Sequence, residues 1–396
     1  MAQKSLPKNW RKVKLGDVGN INMGQSPSSK FYNTKGVGLP FFQGVKDFGE
    51  KYPQKSIYCS QPIKIANEGE ILLSVRAPVG DINIATEKSC IGRGIAALSM
   101  KNKNNKFLYF LMKYYERNLK AIAGGTTYEA ITKDQLENFE IEIPDNPKEQ
   151  QKIAGILSAF DDKIELNNKI NQNLEQMVQA IFKERFIDFR FPGYKKVKFV
   201  DSELGKIPQG WEIKKAEELL NFEKGIEPGF LSYSTKKKES FVPFYRVRDL
   251  DKQSGVDAYI KKDLANGKLC RENDILLSLD AVIGRVKIGC KGSFSSGIRR
   301  VYSKDGFIRN SFIYFWLKSP YVQNTISEYA SGTSILHAGQ STKYLKFLFN
   351  KPLIEKFQEK ADPIFNKILE NINENQTLAS LHDLLLPKLM SGEVRV

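Results

Sequence analysis

The pattern of apolar and polar positions repeats once along the chain. The segment EGEILLSVRAPVGD at 68–81 is followed 204 residues later by ENDILLSLDAVIGR at 272–285, and Ser74 matches Ser278 as Gly80 matches Gly284. In each copy the apolar run ILLS ends at a turn, which is typical of a buried strand followed by a reversal of the chain. Such a repeat predicts two domains built on one framework.

Three further blocks extend the repeat in the same order: LPKNWRKVKLGDV at 6–18 with IPQGWEIKKAEEL at 207–219, NKFLYFLMKYY at 105–115 with NSFIYFWLKSP at 310–320, and GGTTYEAITKDQLENFEIEIP at 124–144 with SGTSILHAGQSTKYLKFLFNKP at 331–352. DINIA and FEIEI have the spacing of strands. FLYFLMKYY has the spacing of a helix, with Phe107, Phe110, Leu111 and Tyr114 on one stripe. Each copy therefore predicts a globule that mixes strands and helices.

Each globule precedes a long segment with a helical pattern. Residues 148–186 and 354–389 are rich in Glu, Lys, Gln and Leu, and each predicts a helix of ~60 Å at 1.5 Å per residue. Pro363 and Pro387 are expected to mark the start and the last turn of the second helix. Apolar residues follow heptad steps and predict a helix–helix seam. They are Ile153, Leu157, Phe160, Ile164, Leu174, Val178 and Ile181 in the first helix and Ile364, Ile368, Leu378 and Leu385 in the second.

Asparagines interrupt both seams at equivalent positions. Asn167 and Asn171 occupy the middle steps of the first helix, and Asn371 and Asn375 lie 204 residues further on. Polar seam residues fix the register of a coiled coil at some cost in stability. A stutter is the alternative, in which Leu166, Ile170, Leu369 and Ile372 take over the seam locally. The sequence leaves both interpretations open.

Burial of both seams requires the second helix to return antiparallel to the first. The predicted fold is therefore α+β, with two globules at opposite ends of an antiparallel coiled coil and a pseudo-two-fold internal repeat. We predict a first globule at 1–147, a first helix at 148–190, a second globule at 191–352 and a second helix at 353–396.

The charge of the chain points to a polyanionic partner. The 396 residues include 61 Lys and Arg against 45 Asp and Glu, a net charge of +16. Double-stranded DNA is the first candidate. A span of ~60 Å exceeds one helical turn of B-DNA, ~34–36 Å, so the globules are expected to reach separate stretches of major groove.

The N-terminal segment has no apolar run and no segment approaches a membrane span, so we predict no membrane partner and a cytoplasmic location.

The two globules differ in their loops, as two distinct recognition surfaces would. Arg76 faces Asp280 in the repeat, and Asp81 faces Arg285. We therefore expect two unlike half-sites. Arg246 and Arg248 are expected to share one strand face. The candidate DNA-binding residues are Arg76, Arg93, Thr126, Thr127, Tyr128, Lys133, Lys236, Arg246, Arg248, Arg285, Arg299, Arg300, Ser334, His337, Gln340 and Lys343.

The quoted blocks, together with EQQKIAGILSAFDDKIELNNKINQNLEQMVQAIF at 149–182, make the chain resemble the specificity subunit of type I restriction–modification systems over its full length. The resemblance implies two target-recognition domains, each followed by a spacer helix. It also implies docking of two modification subunits, which methylate adenine with S-adenosylmethionine. Where restriction subunits are present, two of them add DNA translocation and cleavage that depend on ATP and magnesium.

Motifs of catalysis are missing from the sequence. It has no phosphate-binding G-x-x-x-x-G-K-[ST] and no Asn-Pro-Pro-Tyr motif, its two histidines lie in different elements, and its four cysteines are too scattered for zinc. We therefore expect a non-catalytic chain that binds no cofactor. A stand-alone DNA methyltransferase, or a coiled-coil assembly protein with incidental basic charge, are the alternatives. Binding of S-adenosylmethionine by the chain itself would favour the former, and salt-insensitive or absent DNA binding the latter.

Overall fold

The computed structural model describes residues 6–123, 130–251, 255–332 and 336–396. The chain divides into two compact units, unit 1 with Met1–Asp162 and Ser380–Val396, and unit 2 with Lys163–Ala379. We call residues 6–146 of unit 1 the first head and residues 205–350 of unit 2 the second head.

Unit 1 is built from short strands and helices. Its strands are β1 (Trp10–Lys14), β2 (Gly19–Met23), β3 (Tyr32–Asn33), β4 (Leu39–Phe42), β5 (Tyr58–Cys59), β6 (Ile65–Ala66), β7 (Ile71–Ser74), β8 (Ile82–Ile84), β9 (Ser89–Ile91), β10 (Ile95–Met100) and β11 (Glu140–Pro144). Its helices are α1 (Leu15–Val18), α2 (Asn105–Tyr114), α3 (Glu116–Ala123), α4 (Lys133–Glu137) and the first part of α5 (Pro147–Phe186).

The first head contains two main sheets. The strand order is β2-β10-β7-β8 in one sheet and β3-β5-β4-β9-β6 in the other, while β1 pairs with β11. Helix α2 packs between elements rather than along a surface, because all six residues of Phe107–Met112 are buried. The buried face of this helix is therefore wider than the single apolar stripe predicted from the sequence.

Unit 2 repeats this plan. Its strands are β12 (Phe199–Ser202), β13 (Gly205–Pro208), β14 (Glu212–Lys215), β15 (Leu220–Lys224), β16 (Phe241–Tyr245), β17 (Tyr259–Lys261), β18 (Leu269–Cys270), β19 (Ile275–Ser278), β20 (Val286–Lys287), β21 (Gly292–Phe294), β22 (Ile298–Ser303) and β23 (Lys346–Phe349). Its further helices are α6 (Ala216–Leu219), α7 (Asn310–Leu317), α8 (Pro320–Glu328) and most of α9 (Lys351–Met390).

One sheet order and one strand pair of the second head match those of the first, whereas the five-stranded sheet β3-β5-β4-β9-β6 has the four-stranded sheet β17-β16-β21-β18 as its counterpart. The order β15-β22-β19-β20 reproduces β2-β10-β7-β8, and the β14-β23 pair reproduces β1-β11. The mixed α+β fold with an internal repeat, predicted from the sequence, is confirmed.

The repeated serine and glycine close the same turn in both heads. The Ser74 hydroxyl accepts a hydrogen bond from the backbone N–H of Asp81 at 2.8 Å, and the Ser278 hydroxyl accepts one from Arg285 at 2.9 Å. Gly80 and Gly284 have φ angles of +96° and +81°, which favour glycine. This turn explains why the motif recurs almost unchanged.

The two long helices are antiparallel within each unit. In unit 1, Leu157 of α5 shares a core with Leu389 of α9, while Asp161 Oδ1 of α5 lies 3.8 Å from His382 Nε2 of α9. In unit 2, Asn167 of α5 donates to Asn375 of α9, while Phe182 packs edge-to-face on Phe357 with ring centroids 5.5 Å apart. Within each unit, later residues of α5 therefore contact earlier residues of α9.

The prediction that Pro363 marks the start of the second helix is wrong, since α9 begins twelve residues earlier, at Lys351. A proline inside a helix removes one backbone hydrogen bond. Pro363 and Glu359, whose carbonyl would have accepted that bond, are both on the exposed side, where water can replace it. Buried Phe357, Ala361 and Phe365 hold the helix against the core on the other side. Pro387 does lie in the last turn.

Candidate nucleic-acid interface

An open cleft of about 620 Å³ lies in the first head, where the ends of several strands meet. Its lining is mostly polar and basic, and it consists of Gly24, Gln25, Ser26, Gln43, Gly44, Val45, Arg76, Ala77, Arg93 and Gly94. Three loops approach closely here, because a Cβ on Gly24 would lie 2.2 Å from the Gly92 carbonyl oxygen and a Cβ on Gly94 would lie 2.2 Å from the Gln43 carbonyl oxygen. Glycine is therefore required for the floor of the cleft to form.

Arg76 and Arg93 both reach this cleft and are exposed. Arg76 follows β7 and forms an isolated bridge with Ala130. The backbone N–H of Arg93 donates to the Ser26 hydroxyl at 3.2 Å. Neither guanidinium forms an ion pair with any residue in the described ranges, so both remain available to an anionic or hydrogen-bonding ligand. Thr126, Thr127 and Tyr128 lie outside the described residues.

The second head has the same backbone at this place but different side chains. Val75 N–H donates to the Gly94 carbonyl and Leu279 N–H to the Gly297 carbonyl, both at 2.9 Å. Asp280 then bridges His337, as Arg76 bridges Ala130. An acid and an imidazole thus replace an arginine and an alanine. Ser334 lies outside the described residues.

Three arginines of the second head that are predicted to bind DNA form hydrogen bonds or ion pairs with other residues of the same chain. The Arg299 guanidinium donates to the Ser296 carbonyl at 2.7 Å, and burial lowers its pKa, although Asp280 opposes the shift. Arg300 forms ion pairs with Glu223 at 2.7 Å and Asp274 at 3.3 Å. Arg285 pairs with Asp251.

The prediction that Arg246 and Arg248 share a strand face is wrong. Strand β16 ends at Tyr245, and Val247–Asp249 forms a 3-10 turn. The Asp249 carboxylate causes this turn, because it accepts hydrogen bonds from both the backbone N–H of Arg246 at 3.1 Å and its Nε at 2.8 Å. The Arg248 side chain is 65% exposed beside Asp257.

The remaining predicted residues lie on the surface. Lys133 pairs with Glu137 at 3.2 Å on α4. Lys236 is exposed in a loop that Ser234 closes through its hydroxyl. Gln340 and Lys343 are exposed in the 3-10 segment Gly339–Tyr344, next to His337.

The asparagines, rather than Leu166, occupy the helix interface of unit 2. Asn167 is 1% exposed, whereas Leu166 is 52% exposed. Asn167 donates to the Asn375 amide oxygen at 2.9 Å, and Asn371 donates to that of Asn171 at 2.7 Å. The stutter therefore does not operate at Leu166, and buried amide pairs define the register here.

The apolar seam residues lie along the same two helices, in both units. Four are fully buried: Ile153, Leu157, Val178 and Ile368. The partly buried ones are Phe160, Ile164, Leu174, Ile181, Ile364, Leu378 and Leu385.

Several residues of the candidate interface are not among those predicted from the sequence. Gln25, Ser26 and Gln43 line the first cleft although no motif marks them. Asp280 faces Arg76 in the repeat but is not among the predicted DNA-binding residues. The repeat itself was the signal that could have identified it.

The described residues contain neither a membrane-spanning helix nor a metal-binding cluster. None of their helices combines the length and apolar character of a membrane span. Among the same residues, no cluster of three or more His, Cys, Asp or Glu has a metal-binding arrangement.

Comparison with known proteins places the chain in a family. Residues 7–176 and 208–348 match the Type I restriction modification DNA specificity domain. The chain is 30% identical over 425 residues to the type I restriction enzyme MjaIX specificity subunit of Methanocaldococcus jannaschii, covering 99% of this chain and 95% of that protein. It is 25% identical to the HindI specificity subunit of Haemophilus influenzae, covering 98% and 100%.

A solved structure shares the fold. The crystal structure of a type I restriction–modification S subunit from M. genitalium aligns with a TM-score of 0.59 at 18% identity, covering 98% of this chain and 97% of that one. The chain belongs to the family of type I restriction–modification specificity subunits, and its role is DNA sequence recognition.

Proposed function

We propose that the chain recognises an asymmetric, bipartite DNA target, one half-site with each head. The observation that carries this proposal is the pair of equivalent backbone positions with unlike side chains, Arg76 and Ala130 in the first head and Asp280 and His337 in the second. Identical heads would favour a palindrome, whereas heads that differ at the same place favour two unlike half-sites.

The side chains of the first cleft suit base recognition. Arginine forms paired hydrogen bonds with guanine O6 and N7, and amides such as those of Gln25 and Gln43 form them with adenine. Exposed lysines such as Lys133, Lys236 and Lys343 supply phosphate contacts that position the protein without discriminating between bases. The net charge of +16 supports both kinds of contact.

The chain itself is non-catalytic in this proposal and acts as a scaffold. Two modification subunits dock on it and methylate adenine with S-adenosylmethionine, and where restriction subunits are present, two of them add ATP- and magnesium-dependent cleavage. Exposed apolar side chains on the long helices support docking of partners. They are Leu166 and Met177 in unit 2 and Ile156, Leu381 and Leu384 in unit 1.

Activity is expected to depend on a partner. The purified chain should neither methylate nor cut DNA, and methylation should begin when its modification subunit and S-adenosylmethionine are added. Incorporation of labelled methyl groups into duplex DNA measures this. A modification subunit with an inactivated catalytic motif is the control, and methylation by the chain alone, free of other subunits, would show that the chain is an enzyme.

A further inference from the structure

The recognition surface of the second head contains an acid that phosphate contact does not explain. The Asp280 side chain is 28% exposed and stands where the first head has Arg76. A carboxylate repels a DNA phosphate and can accept hydrogen bonds but not donate them. Its partner is His337, whose Nδ1 lies 2.9 Å from the Asp280 Oδ1.

The backbone fixes both members of this pair. The N–H of His337 donates to the Ser331 carbonyl at 2.7 Å, and Ser331 N–H donates back at 3.0 Å. Ala281 N–H donates to the Leu336 carbonyl at 2.8 Å, and Ala338 N–H donates to the Leu279 carbonyl at 2.7 Å. The residues on either side of Asp280 and His337 are therefore tied together.

Arg299 supports the pair from the protein side. Its guanidinium is largely withdrawn from solvent and interacts electrostatically with Asp280. A Cβ on Gly339, two residues after His337, would lie 3.3 Å from the Arg299 Nη2, so the guanidinium packs beneath this loop. The His337 side chain, in contrast, is 61% exposed.

The carboxylate determines which imidazole nitrogen carries the proton. When the imidazole is neutral and Asp280 is a carboxylate, which can only accept, Nδ1 of His337 is the donor in this pair and Nε2 is left as an acceptor. An acceptor that faces the major groove pairs with the amino groups of adenine N6 or cytosine N4. It is mismatched with guanine O6 and N7 and with thymine O4.

We propose that His337 recognises one base of the second half-site, with Asp280 as its positioning residue, and that the Nε2 of His337 accepts a hydrogen bond from the amino group of adenine or cytosine. This inference rests on the proposed function and adds the chemistry of one contact to it. Asp280 discriminates between bases through the imidazole and does not touch DNA itself.

The test measures methylation by the complex of the chain with its modification subunit. The substrates are oligonucleotide duplexes in which each position of the methylated target is replaced in turn by the other bases. His337→Ala is expected to lower the preference for adenine or cytosine at one second-half position by about tenfold or more. His337→Gln should retain most of that preference, because its amide oxygen can also accept.

Asp280→Asn separates positioning from a merely structural role. The new amide can donate to Nδ1, which lets Nε2 carry the proton, so guanine or thymine should become tolerated at the same position. Asp263→Asn is the matched control, since Asp263 is exposed in the turn Lys262–Ala265 of the same unit. Arg76→Ala is the reciprocal variant and should change only the first half-site.

Two results would overturn the inference. One is an equal loss on every duplex in the His337 and Asp280 variants, which indicates a structural or phosphate-contact role. The other is a base preference that all variants leave unchanged. If the unsubstituted complex has no bipartite target, the proposed function fails instead, and the two failures are thereby distinguished.

Discussion

Replacement of the first head by that of a related specificity subunit changes one half of the methylated target and leaves the other half unchanged. The physical reason is that the first head has its own core and its own cleft, within unit 1. A half-site that is no longer recognised should lose methylation by several orders of magnitude, because each mismatched base pair costs ~1–3 kcal/mol and a half-site contains several.

The exchange must preserve the contacts of the head with the helices. The core of unit 1 includes Ile153 and Leu157 of α5 and Leu389 and Met390 of α9. An exchange of about residues 1–147 therefore requires a donor with compatible residues at these positions. An exchange that also carries the donor's equivalents of residues 148–162 and 380–396 is the control for faulty packing. If both exchanges changed both half-sites, independent recognition by the two heads would be contradicted.

The effect of an insertion in the long helices is expected to depend on the number of residues inserted. Four residues placed after Asn168 in α5 and four after Asn373 in α9 leave Asn167 opposite Asn375 and Asn171 opposite Asn371. Four residues are close to one turn of 3.6 and add ~6 Å, so the seam stays nearly in phase. The unread spacer of the target should then grow by about one or two base pairs of 3.4 Å, with both half-sites unchanged.

Two residues inserted at the same places should instead destabilise the protein. They rotate the following residues by ~200°, so the seam residues on one side of the insertion, such as Leu174, Val178 and Ile181, leave the interface. Exposure of two buried apolar side chains costs ~3–6 kcal/mol. Thermal unfolding measures the loss, and methylation mapping measures the spacer. An unchanged spacer in the four-residue variant would show that the helices do not set it.

The sequence predicts the framework of this protein because its signals are local and occur twice. Ser74 and Gly80 specify a turn through neighbouring residues, and Ser278 and Gly284 repeat it. Helix α9 shows the limit of such signals. Pro363 indicates a boundary locally, but burial of Phe357 and Phe365 in the core of unit 2 outweighs the lost hydrogen bond.

The recognition surface is less predictable, because it depends on contacts between distant segments. Arg246 and Arg248 have the alternate spacing of strand residues. The strand nevertheless ends before them, because the Asp249 carboxylate binds Arg246 and stabilises a turn. The hydrogen bond between Asp280 and His337 joins residues 57 positions apart, and only the folded sheet brings them together. The net basic charge predicts DNA as the class of ligand, but it does not predict which arginine side chains are held by ion pairs within the protein.

Mapping of methylated adenines in the DNA of a host that carries this chain with its modification subunit tests the central claim most directly. We predict a single target with two unlike half-sites separated by unread base pairs, and loss of its methylation when this chain is deleted. A continuous or palindromic target, or methylation that persists without the chain, would contradict the assignment of the two heads as two distinct DNA-recognition domains.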